Sequence, residues 1–158
     1  MASSSVFSGS EIVEMAIRTE QSGFRFYGAA AQRVQSDEVR QLLEWLRDQE
    51  AMHERAFRKL LGEHESEGPR EQYAGQKGEF IQALLDSRVF GADPLLERDL
   101  ASMSDEQVLD YALGFEKDTI LFMYEMRELV SEMQRFTVDR LIAEEKSHVQ
   151  RLHSMRKT

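Results

Sequence analysis

The second half of this 158-residue chain repeats the first, and the repeat carries polar residues into positions that should be core. Displaced by 95 residues, Leu43, Leu46, Glu50, His53, Phe57 and Leu60 fall on Val138, Leu141, Glu145, His148, Leu152 and Met155. Displaced by 96, Val13, Ala16, Glu20, Gly23 and Val34 fall on Leu109, Ala112, Glu116, Thr119 and Val130. The repeating unit is a helix with one inward Glu, followed by a helix with an inward Glu-x-x-His. Glu20 and Glu50 are 30 residues apart and Glu116 and Glu145 are 29 apart, so the polar groups should sit at matching heights in both units. Two such helix pairs related by a pseudo-twofold axis would turn these groups toward one centre.

The spacing of apolar residues at three and four supports helices over about 10–34, 37–61, 104–130 and 132–155. Inward stripes run Val13, Ala16, Glu20, Gly23, Tyr27, Ala30, Val34; then Leu43 to Leu60; then Leu109, Ala112, Glu116, Thr119, Met123, Met126, Val130; then Val138 to Met155. Ser10 before Glu11 is the expected cap of the first helix, Ser36 of the second, with Gly62 just past its end. Ser104 with Gln107, and Ser131 with Gln134, form capping-box patterns for the last two. The first two helices are joined by so short a link that they must run antiparallel, and the turn between the last two must be tight although no Gly or Pro marks it.

Residues 62–103 hold both prolines and five of the nine glycines. Such a length is too great for a plain loop, and Phe80, Ile81, Leu84, Leu85, Val89 and Phe90 predict a short amphipathic helix over about 79–90. A long crossover here lets the second and third long helices run parallel. The expected fold class is all-α: one domain over 1–158, a four-helix bundle with a single crossover, the ferritin-like arrangement.

Composition narrows the chemistry. A net charge of −9 without a basic cluster argues against nucleic-acid partners and anionic membranes. The absence of cysteine excludes disulfides, Cys-ligated zinc and iron–sulfur clusters. Residues 1–10 are Ser-rich and lack the apolar stretch of a secretory signal, and no apolar run reaches the roughly 20 residues of a membrane span. The expected compartment is the cytoplasm.

Buried carboxylates are costly, and four close together also repel. Two divalent ions would balance the four charges. Glu and His at i and i+3 share a helix face, so one helix can offer an oxygen and a nitrogen to the same ion. One Glu from each of two helices plus Glu-x-x-His from each of the others is the dimetal–carboxylate pattern. Symmetry makes Glu20 and His53 terminal ligands of one metal, Glu116 and His148 terminal ligands of the other, and Glu50 and Glu145 bridges. Such ligands suit iron or manganese, and zinc could bind without redox chemistry. Gly23 and Thr119, one turn after Glu20 and Glu116, serve either packing or room for metal or oxygen. Tyr27 and Tyr124 lie about two turns beyond the same glutamates; as core tyrosines they need partners, and a ligand carboxylate is one candidate. Met15, Met123 and Met126 read as core filler, and His64 and His153 as solvated.

The stretches Glu20-Gln-Ser-Gly-Phe-Arg-Phe-Tyr27, Glu50-Ala-Met-His53, Glu116 followed by Tyr124, and Glu144-Glu145-Lys-Ser-His148 resemble the rubrerythrin family of the ferritin-like superfamily. The resemblance covers about residues 10–60 and 104–155. It implies a non-haem centre of two iron ions that reacts with hydrogen peroxide or dioxygen, and a homodimer. Rubrerythrins proper carry a four-cysteine rubredoxin domain, absent here, so electrons would come from a separate donor such as a rubredoxin-like protein. They also carry a further Glu where this chain has Thr119, which makes the centre more like the symmetric six-ligand site of bacterioferritin. Three functions follow as expectations: a di-iron oxidoreductase, with the six ligands acting through the metals; a ferroxidase or iron-handling protein; and a bundle in which metal only fixes the fold.

Overall fold

The computed structural model describes residues 8–66, 76–86 and 97–158, excepting the side chains of 64–66, 76–78, 85, 86, 97 and 98. The expectations for His64, Leu85, Val89 and Phe90 fall outside those descriptions.

Local sequence signals set the helix starts. α1 (Gly9–Ala31) is capped by Ser8, whose Oγ accepts from the Glu11 backbone N–H at 3.2 Å while Glu11 Oε2 accepts from the Ser8 N–H at 2.7 Å. The cap is therefore Ser8 and not Ser10, because only Ser8 has a glutamate at the third helical position to close the reciprocal pair. α2 (Asp37–Ser66) begins after Ser36, whose hydroxyl receives the Val39 N–H at 3.3 Å. α2 runs through Gly62: the glycine keeps helical backbone, and a β-carbon there would meet open space, so it does not act as a stop. α5 (Asp105–Arg127) and α6 (Glu132–Arg156) start with the expected capping boxes at Ser104 and Ser131.

Between the long pairs lie α3 (Gln76–Asp86) and α4 (Glu97–Ala101). α3 starts three residues before the expected 79, and α4 was not expected from sequence, being too short to show a period. Among the described residues there are six helices and no strand. None is long and apolar enough to cross a membrane.

α1 packs chiefly on α2 and α5 on α6; α1 then faces α5 and α2 faces α6. Every expected stripe residue of the four long helices is buried except Met155, which is half-buried at the end of α6. α1 and α5 end three residues before the expected 34 and 130, and Val34 and Val130 plug the bundle ends from the turns instead. The two turns differ by one residue, Gln35. Its extra N–H is taken by Asp105 Oδ1 at 2.9 Å, and Asp105 Oδ2 receives the Ser36 N–H at 2.8 Å, tying the α1–α2 turn to the start of α5.

The apolar core comes in two parts. One gathers Ile12, Ile17, Phe57, Phe122, Met126 and Leu141, with Ile81 and Leu84 of α3 completing it. The other gathers Phe26, Leu43, Leu46, Leu109, Leu113 and Leu152, with Leu100 of α4 completing it. The crossover thus packs on its own bundle at both points. Met123 and Met126 are core, and Met15 packs at the edge, as expected of filler. His153 is exposed. Between the two apolar parts, at mid-height on all four long helices, lies one polar layer.

Candidate metal centre

That layer consists of Glu20 from α1, Glu50 and His53 from α2, Glu116 and Thr119 from α5, and Glu145 and His148 from α6, none more than 1% exposed. All six residues read as ligands from the repeat are therefore brought together. They form two overlapping groups. Glu20, Glu50, His53 and Glu145 can each present a ligand atom within 4.8 Å of the others, and so can Glu50, Glu116, Glu145 and His148. Glu50 and Glu145 belong to both.

The imidazoles are aimed by carboxylates. His53 Nδ1 lies 2.8 Å from Glu145 Oε1 and 3.6 Å from Glu20 Oε2. His148 Nδ1 lies 2.8 Å from Glu145 Oε2 and 3.6 Å from Glu116 Oε1. The two rings stack at 5.3 Å between centroids, 10° from parallel. Each His turns Nδ1 to the centre, and Glu145 stands between them.

Charge is strained in this arrangement. Burial, then the charges of Glu20, Glu116 and Glu145, push the Glu50 carboxyl well above its ordinary value. Burial and the Glu145 charge raise Glu116 to about 8. Burial raises Glu20, against a smaller lowering by His53. Burial would raise Glu145 too, but the two imidazoles beside it, His148 and His53, outweigh it and hold Glu145 well below the usual carboxylate range. Burial alone would lower both imidazoles. Glu145 and Glu20 instead lift His53 to about 11, and Glu116 and Glu145 lift His148 to about 9. The layer therefore retains protons in place of some other positive charge.

Hydrogen bonding gives the same picture. Nine buried side-chain polar atoms lack a hydrogen-bond partner among the described residues, and seven lie in this layer: both oxygens of Glu20 and Glu50, one each of Glu116 and Glu145, and His148 Nδ1. His148 Nδ1 and Glu145 Oε2 are close but not aligned as a bond. Native cores leave few such groups. Six O and N donors with lone pairs directed at a buried centre fit two divalent cations, which would satisfy both the charges and the orphaned oxygens.

Surrounding residues hold the layer. Gly23 is buried against Glu50: a β-carbon there would overlap Glu50 Oε2 and stand 3.0 Å from Phe115 Cε1. Its role is thus room for the Glu50 carboxylate. Gly23→Ala should gain about 1 kcal/mol of helix propensity yet displace Glu50. The expected result is unchanged helicity with divalent-ion affinity reduced at least tenfold in chelator competition; unchanged affinity would show that Glu50 is not held by this contact. Thr119, at the equivalent place, donates its hydroxyl to the Phe115 carbonyl at 2.9 Å, within its own helix.

Tyr27 is fully buried and donates to Glu116 Oε1 at 2.5 Å, so its partner is a carboxylate of the layer on a different helix. Tyr124 does not join it. The residue is 43% exposed and its hydroxyl accepts from Lys146 Nζ at 2.7 Å. Tyr27 is seven residues from Glu20, about 20° off its direction, whereas Tyr124 is eight from Glu116, about 80° off. The repeat partner of Tyr27 is Met123.

Two residues near the layer were missed from sequence. Glu144 Oε2 lies 2.9 Å from His53 Nε2, and the Trp45 ring meets His148 edge-on at 5.3 Å, with Arg151 stacked 4.4 Å above Trp45. Glu144 was visible only as the neighbour of Glu145, and nothing in its phase alone says that it reaches α2.

A family model described as Rubrerythrin matches residues 11–156. The chain belongs to the rubrerythrin family. Among solved structures, a Thermotoga maritima protein provisionally described as a ferritin-like diiron-carboxylate protein is 27% identical. Its match covers 96% of this chain and 95% of that one, with a TM-score of 0.77. The fold is therefore ferritin-like, as the crossover topology led us to expect. None of the curated proteins compared matches the chain.

Proposed function

We propose that this rubrerythrin-family chain is a non-haem di-iron oxidoreductase that reduces hydrogen peroxide or dioxygen with electrons from a separate donor protein. It would serve in the response to oxidative stress. The observation that carries the reading is the buried layer of orphaned carboxylate oxygens, shared between two ligand groups through Glu50 and Glu145. The described relative's diiron-carboxylate assignment supports iron as the metal. Glu20 and His53 would hold one ion, Glu116 and His148 the other, with Glu50 and Glu145 between; manganese or zinc could substitute. The ions would supply a two-electron redox couple when bound.

The chain's own residues do the rest. The apolar layers above and below exclude bulk water. Tyr27 holds Glu116 at Oε1 and carries a proton there. Neither Glu20 oxygen is hydrogen-bonded, whereas Tyr27 holds Glu116, so of these two carboxylates Glu20 is the freer to turn and admit a small oxidant.

A ferroxidase reading is favoured by one feature, the six-ligand set that Thr119 leaves without a seventh carboxylate. A homodimer in the cytoplasm is the assembly and compartment we propose. The test is anaerobic Fe(II) loading followed by a peroxide or air pulse. The expected outcome is two irons per chain and a near-ultraviolet ferric band, both lost in the double variant His53→Ala, His148→Ala. Turnover with peroxide and an added reductant would separate a peroxidase from a ferroxidase. One iron or none, with the fold intact, would overturn the reading.

A further inference from the structure

The repeat relates the two halves of the centre, but they are not supported alike. Behind His53, Glu144 Oε2 lies 2.9 Å from the outer nitrogen Nε2, and Arg140 Nε lies 3.8 Å from the other Glu144 oxygen. The residue equivalent to Glu144 in the repeat is Gln49. Its amide nitrogen sits 3.9 Å from Met52 Sδ, and His148 has the edge of Trp45 beside it instead of a carboxylate behind it.

The terminal carboxylates differ in the same sense. Tyr27 occupies Glu116 Oε1, leaving only Oε2 free. Met123, the equivalent of Tyr27, has no donor to offer Glu20, and both Glu20 oxygens are free.

A carboxylate on the outer N–H of an imidazole fixes the tautomer that leaves the inner lone pair for a metal. It also makes that nitrogen more basic, and removing such a partner costs roughly 10–100-fold in metal affinity. An oxygen already accepting from a tyrosine is a poorer donor than a free one. Both effects favour the half built from Glu20 and His53.

We propose that Glu144 is a positioning residue for His53 that makes the Glu20/His53 half the tighter metal site, so that the two ions load in a set order. This rests on the metal-centre reading. The Glu116/His148 half fills second and releases its ion first.

The test is a Zn(II) titration of the whole chain carrying 15N-labelled histidine, followed by NMR of the ring nitrogens. There are only four histidines, so single His→Gln variants at each position assign all four rings, His53 apart from His148. At one Zn(II) per chain the His53 Nδ1 signal is expected at its metal-bound position while His148 is unmoved; the second equivalent moves His148. Glu144→Ala should abolish the order and weaken the first step about tenfold or more. Gln49→Glu should make the two signals move together. A Glu144 that was merely structural would change the melting temperature of the variant and leave the order intact. That outcome would overturn the proposal, as would wild-type signals that move in parallel or His148 moving first. Failure of both signals to move under excess Zn(II) would instead overturn the metal centre itself.

Discussion

Replacing Glu50 by methionine should raise the melting temperature of the metal-free protein and abolish its response to metal. Glu50 is fully buried, both its oxygens lack a partner, and the charges of three other carboxylates push on it. An unbranched apolar side chain of similar length relieves an unsatisfied polar group without opening a large cavity. Relieving a buried unsatisfied polar group is worth roughly 1–3 kcal/mol, which is on the order of 2–4 °C per kcal/mol for a chain of this size. Because Glu50 belongs to both ligand groups, the variant should lose both ions and show no rise in melting temperature on adding Zn(II). Thermal melts with and without Zn(II) measure both effects. A Glu50→Met protein that melts lower than wild type without metal would mean that the carboxylate serves the fold itself, and would favour the structural reading of the centre.

The metal-free protein should also lose stability as pH rises from about 6 to 9, while the metal-loaded protein gains on it. The ordinary histidine value is 6.5, and His53 and His148 stand at about 11 and about 9 in the folded chain. Groups raised in this way stabilise fully below 6.5, and their contribution is lost as pH climbs through the folded values. Glu116, raised from 4.5 to about 8, acts in the same direction: between those values the unfolded chain releases a proton that the folded one must keep. Glu20 and Glu50 are raised likewise. Glu145 opposes them, but its depressed value matters only in acid, where its contribution disappears. Metal needs the deprotonated ligands, so its binding tightens over the same pH range. The difference in melting temperature between loaded and chelator-treated protein should therefore widen with pH. It should reach on the order of 10–20 °C at pH 8 with metal well above its dissociation constants. A difference that narrows as pH rises would contradict the assignment of these protons to the ligand layer.

The six ligand candidates were legible because a helix converts sequence spacing into direction. Glu20, Glu50, Glu116 and Glu145 fall on the same faces as Val13, Leu43, Ala112 and Leu141, and a charged residue in an apolar stripe marks itself. The repeat then pairs the halves without any structure. Phase also explains the failure at Tyr124, where one residue more than seven turned the ring outward to Lys146. The cap at Ser8 and the continuation of α2 past Gly62 were misjudged by a few residues, as helix ends usually are, because several nearby signals compete there.

What lay between helices was not legible. Tyr27 reaching Glu116, Gly23 making room for Glu50, and Glu144 behind His53 each join residues on different helices. Sequence alone thus determined the four long helices, their inward faces and the identity of the buried polar residues, since each depends on periodicity within one segment. Only the tertiary structure decided which half of the centre receives the carboxylate and which the tyrosine. The two sequence halves offer Glu144 against Gln49 and Tyr27 against Met123, but whether those differences meet the ligands depends on the distance and rotation between packed helices, which no single helix encodes.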